Sequence, residues 1–206
     1  MSFLLSVAAA FLQAVGYLIY IRMSLRHTVK PNGSTWLMFG YGVSLLTILE
    51  WDAGADPVLL LLPLVCAVLA VVTAYICWRR GTISWPKDWE DRAAFIADLV
   101  LTFLYVVTAY LASADTVTEV QKTTALNVFL IASNATAFTS FAPLVRGVWL
   151  EPSVEKPAPW TVWTFAYLLL GIATFIMNGW SNLLIYPVVN AFLHGMVAVL
   201  ACRKRQ

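Results

Sequence analysis

The chain has 206 residues, of which 61% are hydrophobic and 12% charged, with a mean hydropathy of +0.78. Soluble globular chains are near half apolar and a quarter charged, so a surface of this composition would aggregate in water, whereas a bilayer accommodates it. The net charge of +2 comes with no basic stripe interleaved with aromatics, which excludes nucleic acid as a partner.

Seven continuous apolar runs are predicted as membrane-crossing helices, because a membrane β-barrel shows short alternating segments instead. About 20 residues span the hydrocarbon, so this length allows seven or eight crossings at most. The first run covers residues 3–21 and includes Gln13 as its main polar group. No basic residue precedes Phe3, so the run reads as a retained helix and not as a signal peptide. The second, 36–49, is short and is expected to begin before Trp36. The third, 57–78, contains Pro63 and Cys66. The fourth, 93–111, holds Asp98, the one acid clearly inside a predicted span. The fifth, 123–141, carries Asn127 and Asn134 on one face, together with Thr136, Thr139 and Ser140. The sixth is 160–177. The seventh, 183–201, carries Pro187, then Asn190 and His194 one turn apart on a shared face.

Twelve of the thirteen Lys and Arg residues fall on one side of this layout. They are Arg22, Arg26 and Lys30, then Arg79, Arg80, Lys87 and Arg92, then Arg146 and Lys156, and finally Arg203, Lys204 and Arg205. Only Lys122 falls on the other side. The positive-inside rule makes the rich side cytoplasmic, with the N-terminus outside and the C-terminus inside. That orientation requires an odd number of crossings, which seven satisfies. The sequons Asn32-Gly-Ser34 and Asn134-Ala-Thr136 then lie in the cytoplasm and in the bilayer, and neither is expected to be glycosylated. Cys66, Cys77 and Cys202 have no metal or redox spacing. The first two read as small core residues, and Cys202 is open to lipidation but too far from the end for prenylation.

The sequence repeats itself at an offset of 124 residues. Trp36 falls on Trp160, Pro63 on Pro187, Arg22 on Arg146 and Arg79 on Arg203. About a quarter of the window from Trp36 to Arg79 is identical at this offset, without gaps. A three-helix unit that begins outside ends inside, so a second unit in the same orientation needs one additional crossing. The fourth helix supplies it. The predicted fold is therefore an all-α membrane protein of seven helices in a 3+1+3 arrangement. Two parallel three-helix repeats, residues 1–80 and 121–206, are joined by a linker helix and its loops at 81–120, with a pseudo-twofold axis along the membrane normal.

That order, with the N-terminus outside, resembles the SWEET and PQ-loop transporter superfamily. The signature there is a Pro-Gln late in the first helix of each repeat, followed by a basic loop. Here Phe141-Ala-Pro143-Leu144-Val-Arg146 precedes Lys156-Pro-Ala-Pro159-Trp160, so Pro143 matches and Leu144 stands at the glutamine. In the first repeat Tyr17-Leu-Ile-Tyr20-Ile-Arg22 lacks the proline and precedes Lys30-Pro-Asn-Gly-Ser34-Thr-Trp36. The look is closest to poorly characterised bacterial PQ-loop-like proteins, which implies a bacterial inner (plasma) membrane. The resemblance implies alternating-access transport of a small polar solute, sugar-like or similar. It also implies a pocket contact by an Asn on the third helix of each repeat, which Asn190 matches. Cys66 stands at the equivalent place in the first repeat and cannot hydrogen-bond as an amide does. In this family the linking helix flanks the pocket more than it lines it.

Polar groups in hydrocarbon are costly and therefore informative. Asn190, His194, Asn134, Asn127 and Gln13 are candidate solute contacts; each also has a structural reading as an interhelical hydrogen bond. Asp98 and His194 are candidates for proton coupling, and Asp98 has the alternative of pairing with Thr102 or a loop arginine. Trp36, Trp160 and Trp163 on the cytoplasmic side, and Trp51 and Trp180 outside, read as an aromatic belt. Trp51 and its repeat partner Phe175 have the further reading of capping the pocket from outside. Pro143, Pro187 and Pro63 are read as helix-interrupting hinges. No span contains a lysine for retinal chemistry, and no nucleophile–base or metal constellation supports an enzyme. No cofactor is expected. The expected partners are the lipid bilayer and a small polar solute, with homo-oligomerisation open. A receptor or assembly factor on the same scaffold is the alternative function, because fold does not fix function.

Overall fold

The computed structural model describes residues 1–82 and 89–203; Lys87, Lys204 and Arg205 of the charge count lie outside the described residues. Within them the chain forms seven α-helices, two short 3-10 turns and no strand. The helices are α1 (Ser2–Leu25), α2 (Gly33–Asp52), α3 (Leu61–Arg79), α4 (Trp89–Ser113), α5 (Glu119–Leu150), α6 (Pro157–Asn178) and α7 (Ile185–Ala201). Six are long and apolar enough to cross a membrane; the exception is α2. It has the length, at 20 residues, but carries Ser34, Thr35, Ser44, Thr47, Glu50 and Asp52. The chain is an all-helical, multi-pass membrane protein.

Local chemistry explains where the helices depart from the apolar runs. Asn32 caps α2, its Oδ1 accepting from the backbone N–H of Ser34 at 3.0 Å and Thr35 at 3.2 Å, so the helix starts three residues before Trp36. Thr118 and Gln121 form a reciprocal capping box that starts α5 at Glu119. In front of α3, Asp56 Oδ1 accepts from Val58 N–H at 2.9 Å, a turn that delays the helix to Leu61. At its far end α5 continues through Pro143 to Leu150, nine residues past the predicted end. A proline removes one internal hydrogen bond, and the burial of Leu144 and Val148 holds the continuation in place.

The proline reading needs correction at two of three positions. Pro63 is the third residue of α3 and Pro187 the third of α7. First-turn N–H groups have no partner within the helix, so a proline there interrupts nothing. Of the three, Pro143 alone lies beyond the first turn of its helix.

The packing has a regular plan. α3 lies against both α1 and α2, and α7 against both α5 and α6. α1 packs on α6, α2 on α5, and α4 on α5 with a lighter contact to α2. At one end Arg80 donates to the carbonyls of Ser24 (2.6 Å) and Leu25 (3.3 Å), tying the end of α3 to the end of α1. Arg203 donates to the carbonyls of Val148 (3.4 Å) and Trp149 (2.8 Å), tying the end of α7 to that of α5. The acceptors of the two clamps are 124 residues apart in the sequence. Both add a donor to last-turn carbonyls, where the regular helical pattern runs out; Ser24 O also accepts from His27 N–H at 3.0 Å. Lys30 N–H also donates to Val154 O at 3.0 Å, again across an interval of 124. This end gathers most of the basic residues. At the opposite end Lys122 pairs with Asp52 at 3.1 Å, and Asn182 Nδ2 donates to Asn127 Oδ1 at 3.0 Å.

Candidate functional site

All seven helices contribute to one small cavity of about 40 Å³, room for about three waters at the ~10–15 Å³ each requires. Three pairs of lining residues are separated by 124: Tyr17 and Phe141, Val43 and Tyr167, Cys66 and Asn190. Six of the eighteen lining residues thus fall in pairs at the offset seen in the sequence.

Tyrosines provide much of its polar character. Tyr17 OH and Cys66 Sγ are 3.3 Å apart, and Tyr167 OH donates toward the same sulfur at 3.6 Å. Tyr167 OH also lies 3.2 Å from Tyr186 OH, and Gln13 Nε2 donates to Tyr167 OH at 3.5 Å. Asn190 Nδ2 donates to Tyr186 O at 3.0 Å. His194 Nδ1 lies 2.8 Å from Asn190 O. A carbonyl only accepts, so Nδ1 carries the proton there and Nε2 of a neutral ring is left as an acceptor. The imidazole is walled by the rings of Tyr167, Phe141 and Trp160, with centroids 4.8, 5.0 and 5.4 Å away.

On the basic side a cluster of buried rings packs next to the cavity residues Tyr17, Phe39, Phe141 and His194. Trp36 and Trp160, 124 apart in sequence, have centroids 6.4 Å apart, and Trp163 lies 6.0 and 5.0 Å from them. All three are buried, so they do not form the lipid-facing belt expected of them; Trp51 and Trp180, 63% and 90% exposed, do suit one. Glu155, in the loop before α6, closes this cluster. Its Oε1 accepts from Tyr20 OH at 2.8 Å and its Oε2 from Trp160 Nε1–H at 3.0 Å. Trp36 Nε1–H in turn donates to Tyr20 OH at 3.3 Å. Burial pushes the Glu155 carboxyl up to about 7, against the Trp160 and Tyr20 hydrogen bonds that pull it down.

Of the sequence candidates, Asn190, His194, Asn134 and Asp98 meet at the cavity. Gln13 is fully buried beside it and reaches it through Tyr167. Asn127 is instead bonded to Asn182 at the far end. Trp51 and Phe175 lie outside the lining; Trp51 faces a surface groove with Pro57 and Leu61, and Phe175 packs on Trp180 at 5.3 Å. Asp98 departs from expectation twice. It lines the cavity although the fourth helix was expected to flank it. Its carboxylate partner is Thr136, whose Oγ1 donates to Oδ1 at 2.7 Å, while Thr102 donates to the Asp98 backbone carbonyl instead. The tyrosines, Glu155 and the buried Glu50 were not singled out from sequence. The 124 offset places Tyr17 on Phe141 and Tyr167 on Val43, so the repeat carried no signal of identity for either, and an acid beside Lys156 in a basic loop had none. Compared with known proteins, the chain matches no family model, no curated protein and no solved structure.

Proposed function

We propose that the chain is a transporter-like protein that moves a small polar solute by alternating access between two three-helix repeats, α1–α3 and α5–α7, with α4 as linker. The observation that carries this reading is the cavity on the repeat interface, lined by three pairs of residues 124 apart. The placement of α3 and α7 between their neighbours and the matched Arg80 and Arg203 clamps also support it. In this reading Trp36, Trp160 and Glu155, packed together at the basic end, form the gate on that side. Rocking of one repeat against the other would open the cavity, and Pro143, inside α5 beside the lining residue Phe141, is the hinge that remains.

Proteoliposomes holding the purified chain should take up at least one of a panel of amines, sugars, amino acids and vitamins. Pro143→Ala should slow that uptake severalfold and leave solute binding unchanged. Binding without uptake of any solute by folded protein would favour a membrane receptor or assembly factor. An unchanged rate in Pro143→Ala would remove the hinge.

The basic end is proposed to face the cytoplasm, in a bacterial inner membrane. Cys202 is exposed there, while Cys66 and Cys77 are buried. A membrane-impermeant maleimide should label intact cells weakly and permeabilised cells strongly. Full labelling of intact cells would reverse the orientation.

A further inference from the structure

We infer that the cavity takes its ligand by a protonated primary amine, held between Asp98 and Asn134. The inference rests on the reading of this cavity as the solute pocket. Asp98 and Asn134 are 1% and 3% exposed, and both line the cavity. Among the described residues, Asp98 Oδ2 and Asn134 Oδ1 have no hydrogen-bond partner. A buried acceptor left unmet is destabilising, and an uncompensated buried carboxylate far more so. The Asn134 amide cannot turn its nitrogen inward instead, because Nδ2 already donates to Leu130 O at 2.8 Å.

The surrounding donors are committed elsewhere. Thr136 Oγ1 faces two acceptors with one proton, Asp98 Oδ1 at 2.7 Å and Ser133 O at 2.8 Å. Ser140 Oγ donates to Thr136 O at 3.0 Å, Asn190 Nδ2 to Tyr186 O, and His194 Nδ1 to Asn190 O. Ser140, Asn190 and His194 thus spend their protons on backbone carbonyls, and the hydroxyls of Tyr17, Tyr167 and Tyr186 are engaged with Cys66 and with one another, so Asp98 Oδ2 and Asn134 Oδ1 are left as unmet acceptors. A ligand that completes this site must bring donors and one positive charge. An alkylammonium brings three N–H donors and that charge. A neutral polyol brings donors but leaves the carboxylate without a counter-charge. A hard metal cation wants six or more oxygens, and two orphaned ones do not supply that shell. Met38, Phe39, Val43 and Leu46 complete the lining with apolar surface suited to a carbon skeleton. The cavity of about 40 Å³ matches the headgroup of a small amine, and a longer skeleton would enter with opening of the repeats.

The test is calorimetric binding to the purified full chain in nanodiscs, with ethylammonium, glycerol, ethanol and sodium chloride as probes. Ethylammonium should bind and the neutral probes should not. Asp98→Asn should weaken binding at least tenfold and Asn134→Leu severalfold. Should Asp98→Asn not fold, Gly42→Ala serves in its place: its added Cβ would sit 3.3 Å from Asp98 Oδ2 and crowd the ammonium position with the charge retained, again weakening binding. Equal binding of glycerol or ethanol, displacement by sodium alone, or unchanged affinity in these variants would overturn the inference. Uptake measured in parallel separates the two proposals. Asp98-dependent binding of ethylammonium without uptake leaves the amine site standing and removes transport. Uptake of a neutral solute at the same rate in Asp98→Asn leaves transport standing and removes the amine site.

Discussion

Gly16→Ala is expected to destabilise the folded protein by about 3 kcal/mol. The added Cβ would lie 2.3 Å from Trp163 Nε1 and 2.6 and 2.9 Å from two ring carbons, so one of the two helices must move. Trp163 has no room to yield. Its Nε1–H donates to Gln13 O at 3.1 Å, and Tyr17, Trp160 and Tyr20 crowd its ring at 4.9, 5.0 and 5.7 Å. Gly16 is therefore what lets α1 approach α6, the use that membrane proteins make of small residues where helices meet. Overpacking of a filled site costs about 1–3 kcal/mol and sometimes more; with a rigid, tethered ring the upper end is expected. Gly147→Ala is the control, since its Cβ would meet nothing within 4 Å and the change should stay within about 0.5 kcal/mol. Thermal midpoints and folded yield in detergent measure both. A Gly16→Ala midpoint equal to that of Gly147→Ala would show that α1 and α6 do not pack as described.

The second large effect is a fall in stability with rising pH, centred on Glu155. Its carboxyl is raised from 4.5 to about 7 by burial. The folded state then holds a proton that the unfolded chain releases, so the stabilising contribution is complete below about 4.5 and is lost as pH rises through 7. A shift of that size corresponds to about 3 kcal/mol at most. Above pH 7 the ionised carboxylate stays buried with, among the described residues, only Tyr20 and Trp160 as donors, and packing of the basic end should weaken. The thermal midpoint followed from pH 5 to 8.5 should fall in the parent protein and fall much less in Glu155→Gln. Parallel slopes in the two proteins would assign the pH dependence to other groups.

Much of the architecture was legible in the sequence because a bilayer leaves little choice. Hydrocarbon demands about 20 apolar residues with every backbone group satisfied internally, so composition and run length alone call for helices. Six of the seven runs are helices long and apolar enough to span, and the seventh, α2, is a helix whose polar residues keep it below that mark. Helix ends were less legible, since Asn32, Asp56 and Thr118 act through side-chain hydrogen bonds that hydropathy does not weigh. Glu50 was missed for the same reason: it lies just past an apolar run, yet α2 continues and buries it.

What the sequence by itself determined was the membrane class, the helices and a polar set that included Asn190, His194, Asn134 and Asp98. The tertiary structure decided which of these meet. It turned Trp36, Trp160 and Trp163 inward, sent Asn127 to the far end, and brought Asp98 to the cavity wall opposite Gly42. The physical reason is that hydropathy records how much of a helix is apolar but not which way each face points. Side chains on an almost uniformly apolar helix carry little amphipathic signal. Facing is then settled by shape, such as the space left at Gly16 for the Trp163 ring, and by the few hydrogen bonds that helices make across their interfaces.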